Sequence, residues 1–278
     1  MSKTTLATTP DGYVLVPSVL RRPDRSPRFN FVVAQALMND LGIKHLVQHE
    51  LFHGGFEIAA RRFFDHHLRD GDLFLDIGAH VGSFALTMAT NPAHIQVVAV
   101  EPLPLNVHQL IKAVHANQVQ DRVAVVAAAV DQQRGMAQLH LSQGTMGGSL
   151  LPPRAELSKA STLAPLHVPT ITLADAAAVA GPLTNFKRVF AKLDVEGVEP
   201  RLLTASQDLL ESGKIAALLV EKGNAAATGE GLAAFAAMLE RLQALGFAAH
   251  RFDAGHLVPY VLGPDNTDVV LLSPGLQG

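Results

Sequence analysis

The stretch Leu73-Phe74-Leu75-Asp76-Ile77-Gly78-Ala79-His80-Val81-Gly82-Ser83 decides the fold of this chain. A short apolar run breaks at a pair of glycines and passes into a helical run, Ser83–Thr90, which reads as strand, tight turn and helix. The pattern repeats downstream, with a strand at Ile95–Val100 and a helix at Leu103–Ala116. Val123–Val130 reads as a third strand and Ala137–Leu141 as a fourth, in a hairpin around Gly135. Val189–Val195 and Ile215–Val220 are further strands, separated by the helical stretch Glu199–Leu210. An Ala-rich helix, Gly231–Leu245, stops at Gly246, and the tail offers two runs, His256–Leu262 and Asp268–Leu272, expected to pair as a hairpin around Gly263–Asn266. Short, fully apolar strands alternating with helices imply an α/β fold: a doubly wound, mostly parallel sheet covered on both faces.

Upstream, residues 1–28 are rich in Thr, Pro and Arg and read as an irregular arm. Helices are expected over Phe31–Leu41 and Phe56–Leu68. The expected organisation is an arm and helical extension over 1–54, then the doubly wound domain over 55–278. Gln143–Ser161, with several Gly and Pro, interrupts the alternation as a long loop.

Composition narrows the function. Of 278 residues, 48% are hydrophobic and 17% charged, below the globular norm of about 25%, which excludes a disordered chain. The net charge of −3, without a dominant basic run, disfavours a nucleic-acid partner. There is no cysteine, so disulfides, thiolate metal sites and thiol nucleophiles are excluded. No apolar run approaches the roughly 18 residues of a membrane span, and Met1–Asp24 has no signal-peptide core, so the expected compartment is the cytoplasm.

In an open parallel sheet the ligand lies at the carboxyl ends of the strands. Gly78 lets the backbone turn sharply, and Gly82 lets the helix pack closely. The second strand ends in Glu101, 19 residues beyond Gly82, where a carboxylate can accept both ribose hydroxyls of a nucleoside. A dinucleotide loop would carry glycine where this chain has Asp76. A carboxylate there repels a pyrophosphate and welcomes an ammonium, which favours S-adenosylmethionine over NAD. An NAD-linked oxidoreductase and a non-catalytic nucleoside-binding module are the alternatives.

Asp76-Ile77-Gly78-Ala79-His80-Val81-Gly82-Ser83-Phe84-Ala85, then Val100-Glu101-Pro102-Leu103-Pro104, then Lys192-Leu193-Asp194-Val195-Glu196-Gly197-Val198-Glu199 resemble the FkbM family of S-adenosylmethionine-dependent methyltransferases. The resemblance spans roughly residues 55–272. It implies a class I, Rossmann-like methyltransferase fold with a reversed C-terminal strand at Asp268–Leu272. It also implies methyl transfer to a hydroxyl of a sugar or polyketide-type natural product. By motif match Asp76, Gly78 and Gly82, with Ala79, His80 and Ser83, form the cofactor floor; Glu101 and Pro102 meet the ribose, and Ala129 lies near the adenine. His80 stands where the family usually has Asn, which adds a possible pH dependence.

Lys192, Asp194 and Glu196 recur at a period of two and are expected on one face of a strand end, where charge must pair or bind something. They are the candidate catalytic residues. A hydroxyl nucleophile is helped by a general base, for which Asp194 is one option. The other is Mg²⁺ held by Asp194 and Glu221, which ends the next strand. Lesser candidates are His53 and Glu57 as a roof over the acceptor, Ser149 at the site mouth, His49, and the arginines Arg21, Arg22, Arg25 and Arg28 toward an anion.

Overall fold

The computed structural model describes residues 6–141, 148–151, 164–223, 229–263 and 266–277. Strand β4 (Leu73–Ile77) lies inside an eight-stranded sheet, with β5 (Gln96–Val100) and β6 (Val123–Val126) on one side and β11 (Val189–Leu193) and β12 (Ile215–Val220) on the other. These five run parallel. Chain order therefore reverses between β4 and β11, and a crevice opens at the carboxyl ends of those two strands. Period-two alternation sorts the core. Phe74 and Phe190 join an apolar cluster on one face, and Leu73, Leu75, Ile77, Val189, Ala191 and Leu193 join a second on the other.

The helices α3 (Ser83–Ala89), α4 (Pro104–Ala116), α5 (Leu173–Val179), α6 (Glu199–Thr204), α7 (Gln207–Glu211) and α8 (Gly229–Ala244) supply the cover. Glu199–Leu210, expected as one helix, is two. The third strand also divides: β7 (Ala129–Val130) leaves the main sheet and joins β8 (Gly135–Leu141), β9 (Gly148–Ser149) and β10 (Leu166–Ile171). Consequently Gly135 does not head a hairpin; β10 lies between β7 and β8. Most of the expected loop Gln143–Ser161 lies outside the described residues.

At the C-terminal end, the hairpin is formed by β13 (Ala248–Asp253) with β14 (His256–Pro259), not by the two tail runs. The reversed strand β15 (Val269–Leu272) slots between β12 and β13, antiparallel to both. Its four residues are all buried, so a central place suits it, whereas half-exposed β14 takes the edge.

Residues 7–34 correct the expectation of an irregular arm and of a helix from Phe31. They form an antiparallel sheet of β1 (Ala7–Thr8), β2 (Tyr13–Pro17) and β3 (Asn30–Ala34). Val14, Val16, Phe31, Val32 and Val33 are buried in the same core cluster as Phe74. Helix α1 (Leu41–Phe52) starts later, where Asp40 accepts hydrogen bonds from the Gly42 and Ile43 amides. Arg28 is no free anion seeker, since it pairs with Asp65 at 2.6 Å.

A buried ion pair joins this N-terminal layer to α2 (Ile58–His67) and α3. The Arg61 and Glu50 side chains are fully buried and hydrogen-bonded to each other. Arg61 also donates to Thr87 Oγ1 at 2.8 Å and to the Phe56 carbonyl at 2.9 Å. Glu50 accepts from the Val19 and Phe56 amides at 2.7 and 3.0 Å. Arg61→Met should leave the Glu50 charge uncompensated and cost about 3–5 kcal/mol in urea unfolding. A loss below about 1 kcal/mol would show that the pair does not hold these layers together.

Candidate active site

At the crevice, the backbone after β4 folds back on itself. The Gly78 and Ala79 amides both donate to the Val100 carbonyl, at 2.9 and 3.0 Å. Gly78 has φ +79, and a Cβ there would lie 1.8 Å from the Asp194 carbonyl oxygen, so the loop after β4 and the end of β11 touch backbone to backbone. Gly82 has φ +91 and packs against Leu110 of α4, where a Cβ would lie 2.5 Å from Leu110 Cδ1.

A cavity of about 320 Å³ opens beside this contact, within the range of small-ligand sites. Its lining brings together the expected residues Gly78, His80, Ser83, Glu101, Pro102, Ala129, Lys192, Asp194, Glu196 and Glu221. Asp76, Ala79 and Gly82 lie behind that lining. Asp76 is buried and accepts from the Ala85 amide at 2.8 Å, fastening the first turn of α3, and its Oδ1 is buried without a hydrogen bond. Val100, Ala128, Val130, Leu139, Leu141 and Leu150 make an apolar wall that the sequence reading did not assemble.

Glu101 is fixed by three donors: the Leu103 amide at 2.9 Å, Asn106 Nδ2 at 3.1 Å and the His80 amide at 2.9 Å. Burial raises its pKa, and those hydrogen bonds work against the rise. His80 takes φ +51 to offer that amide. Burial first, and then the nearby Lys192 charge, lower its pKa to about 4, so the imidazole is neutral at physiological pH. The pH dependence expected of His80 therefore falls well below neutrality.

Strand β11 ends at Leu193, yet Lys192, Asp194 and Glu196 still converge, because the turn that follows is clamped. Glu199 accepts from the Val195 and Gly197 amides at 2.8 and 2.9 Å, and Ser149 Oγ donates to the Glu196 carbonyl at 2.8 Å. Lys192 pairs across the sheet with Asp76, and its Nζ donates to the Gly78 carbonyl and meets Asp194 Oδ2, each at 2.8 Å. Burial alone would lower the Lys192 pKa; Asp194, Asp76 and Glu57 outweigh it and hold the ammonium charged.

Asp194 is likewise kept below the usual carboxylate range: burial opposes ionisation, but Lys192 and a hydrogen bond with Glu221 prevail. Glu221 takes the other role. Burial and the Asp194 charge push its pKa well up, so it is the protonated partner. Glu196 is raised to about 7, by burial and then by Asp194.

Carboxylate oxygens of Asp194, Glu196 and Glu221 lie within 4.8 Å of one another. As arranged they do not fit Mg²⁺, because Lys192 holds an Asp194 oxygen and Glu221 is hydrogen-bonded to Asp194.

The N-terminal layer contributes His45, Phe56 and Glu57 to the lining. His49 and His53 do not line the cavity; the His49 ring meets His45 edge-on and His53 at a tilt, at the C-terminal end of α1. Glu57, expected as part of a roof, lies two residues after Gly55, just before α2, and Asn106, which the motifs did not point to, lies in the first turn of α4, five residues beyond Glu101. Among the described residues no helix is long and apolar enough to cross a membrane.

Residues 76–249 match a family model described as methyltransferase FkbM domain. No curated protein matches the chain. Among solved structures, it is similar to precorrin-6y C5,15-methyltransferase from Geobacter metallireducens, 13% identical over 78% of this chain and 88% of that one, with a TM-score of 0.41. The C-terminal domain of precorrin-6Y C5,15-methyltransferase from Rhodobacter capsulatus is 15% identical over 78% and 88%, with a TM-score of 0.42. The METTL16 MTase domain is 14% identical over 86% of this chain and 76% of that one, with a TM-score of 0.43.

The state of His80 is directly measurable. In side-chain nitrogen NMR spectra, assigned by comparison with His80→Asn, its imidazole should titrate with a midpoint of about 4. A midpoint near the ordinary value of about 6.5 would contradict the burial and charge described.

Proposed function

The chain belongs to the FkbM methyltransferase family, and from that premise we propose that it transfers a methyl group from S-adenosylmethionine to a hydroxyl of a small molecule or glycan. The observation that carries this reading is the division of labour in the cavity lining. Glu101 is pinned beside an apolar wall, while Lys192, the single lysine or arginine among the described lining residues, is consumed by Gly78 and Asp194. A nucleoside without phosphate suits such a donor set, because no free lysine or arginine is present among the described lining residues to meet a pyrophosphate. The lining includes five carboxyls, Glu57, Glu101, Asp194, Glu196 and Glu221, which disfavour a polyanionic acceptor and favour a neutral, hydroxylated one.

When bound, S-adenosylmethionine supplies a methyl group already activated on a sulfonium. The remaining work falls to the chain. Glu101, held in one rotamer by its three donors, receives the ribose hydroxyls with its free lone pairs. Ala128, Ala129 and Val130 flank the adenine side, and the apolar wall keeps water from competing with the acceptor.

Asp194, fixed and ionised beside Lys192, accepts a hydrogen bond from a second hydroxyl of the acceptor and so aligns the reacting one, which supplies rate through orientation. Its lowered pKa makes it a weak base, so alignment suits it better than proton removal. Glu199 and Ser149 hold the turn that positions it.

A panel of methyl pyranosides and hydroxylated macrolactones, scored by mass for added methyl groups, tests the substrate class. Methylation of a hydroxyl in that panel supports the reading, and methylation confined to carbon or nitrogen acceptors would overturn it. Glu101→Ala should weaken S-adenosylhomocysteine binding at least tenfold, on the order of the 1.4 kcal/mol that a lost charged hydrogen bond exceeds. Unchanged affinity would remove Glu101 from the ribose. Turnover should persist in EDTA, whereas a loss restored by Mg²⁺ would reassign Asp194 and Glu221 to a metal.

A further inference from the structure

We propose that Glu57, delivered by the loop between α1 and α2, takes the proton of the acceptor hydroxyl. The inference rests on the hydroxyl-methylation reading above and adds a base that the family motifs do not contain, since Glu57 precedes the matched segment 76–249.

Glu57 stands at the N-cap of α2, yet its carboxyl bonds none of the free amides of that helix. The carboxyl is therefore left available to the cavity that it lines. Among the described residues it accepts no other hydrogen bond, and it lines the cavity with Lys192 and Asp194. Its backbone is left-handed, φ +47, a conformation that costs a non-glycine residue about 1–3 kcal/mol.

The cost is met by the neighbours. Glu50 accepts the Phe56 amide, and Arg61 donates to the Phe56 carbonyl, so both sides of the preceding residue are clamped by the buried ion pair. Gly55 is pressed against Val19, where a Cβ would lie 2.6 Å from Cγ1. A strained residue so firmly held, with a side chain that serves neither the helix nor a partner, is aimed at something the cavity receives.

The other carboxyls are less suited. Glu101 carries three hydrogen bonds, Asp194 is tied to Lys192, and Glu221 shares a proton with Asp194. Glu196 sits within the Asp194–Glu221 cluster. The charged groups that act on Glu57 are Lys192, Asp194, Asp268 and Asp76, together with Arg61 on its own helix. Burial comes first among the influences and raises the Glu57 pKa to about 8, with Lys192 pulling the other way. Its ionised form is thus a stronger base than an ordinary glutamate.

In the step, the acceptor oxygen forms a bond to the methyl carbon as the S–CH₃ bond breaks and its electron pair stays on sulfur. The hydroxyl proton passes to a Glu57 carboxylate oxygen and then to solvent. Atoms and charge balance without a further reactant.

The test uses the panel member that the wild type methylates fastest. The wild-type kcat should rise with pH through a midpoint of about 8, where Glu57 loses its proton. Glu57→Gln should lower kcat at least about 100-fold and abolish that limb, while S-adenosylhomocysteine still binds and so reports an intact fold. Added formate should restore activity to Glu57→Ala, which a merely structural role would not allow. A Glu57→Gln enzyme that keeps kcat and the pH limb, or a limb that vanishes in Glu196→Gln instead, overturns the inference and leaves the methyltransfer reading standing. Failure of the wild type to methylate any hydroxyl in the panel counts against the underlying reading instead.

Discussion

One buried ammonium holds this site in shape. Lys192 leaves the end of β11 and reaches the Gly78 carbonyl and the Asp194 carboxylate, so it ties the glycine turn after β4 to the loop after β11. Removing a lysine from water costs several kcal/mol. At 2.8 Å from Asp194, attraction of roughly 6 kcal/mol at an effective dielectric near 20 is enough to offset it. The consequence spreads outward. Asp194 stays ionised, Glu221 must keep its proton, and among the described lining residues no lysine or arginine remains for a phosphate. The same contact explains why position 78 must be glycine, since any side chain would collide with the Asp194 backbone.

A second buried pair, Arg61 with Glu50, does for the N-terminal layer what Lys192 does for the strand ends. It joins the segment after β2, α1, α2 and α3 through backbone and side-chain hydrogen bonds, and in doing so sets the loop that carries Phe56 and Glu57. The cavity is therefore walled by two units of different origin. The parallel sheet and its loops supply most of the described lining, and His45, Phe56 and Glu57 of the N-terminal layer supply the rest.

Legibility in the sequence followed locality. Leu73–Ile77 and Ile215–Val220 were readable because an apolar run bounded by turn residues has few alternatives, and Glu101 followed from where the second strand ends. The N-terminal sheet was missed although Val14 and Val16 alternate inward, because flanking Pro and Arg masked the period and the partner strand is 17 residues away. The apolar spacing over 31–41 imitates a helix, but Val32 and Val33 are buried together on both faces of a strand. The C-terminal pairing needed a comparison of burial: the wholly apolar Val269–Leu272 belongs inside a sheet, and His256–Pro259 at its edge. In the site, Gly78, His80, Ser83, Glu101, Lys192, Asp194 and Glu196 line one cavity with Asp76, Ala79 and Gly82 behind it, while Asn106 and the leucines of β8 came from segments without a motif. Their proximity is set by tertiary packing, which no local pattern records.

The account stands or falls on the cofactor. Isothermal titration of the purified chain with S-adenosylhomocysteine, with NAD⁺ run in parallel, tests it most directly. Micromolar binding of the thioether, with no heat from NAD⁺, is the result predicted for the proposed cofactor site, which has no free lysine or arginine among its described lining residues. Binding of NAD⁺ in its place would mean that the carboxylates around Lys192 do not exclude a pyrophosphate, and the account of the site would fail.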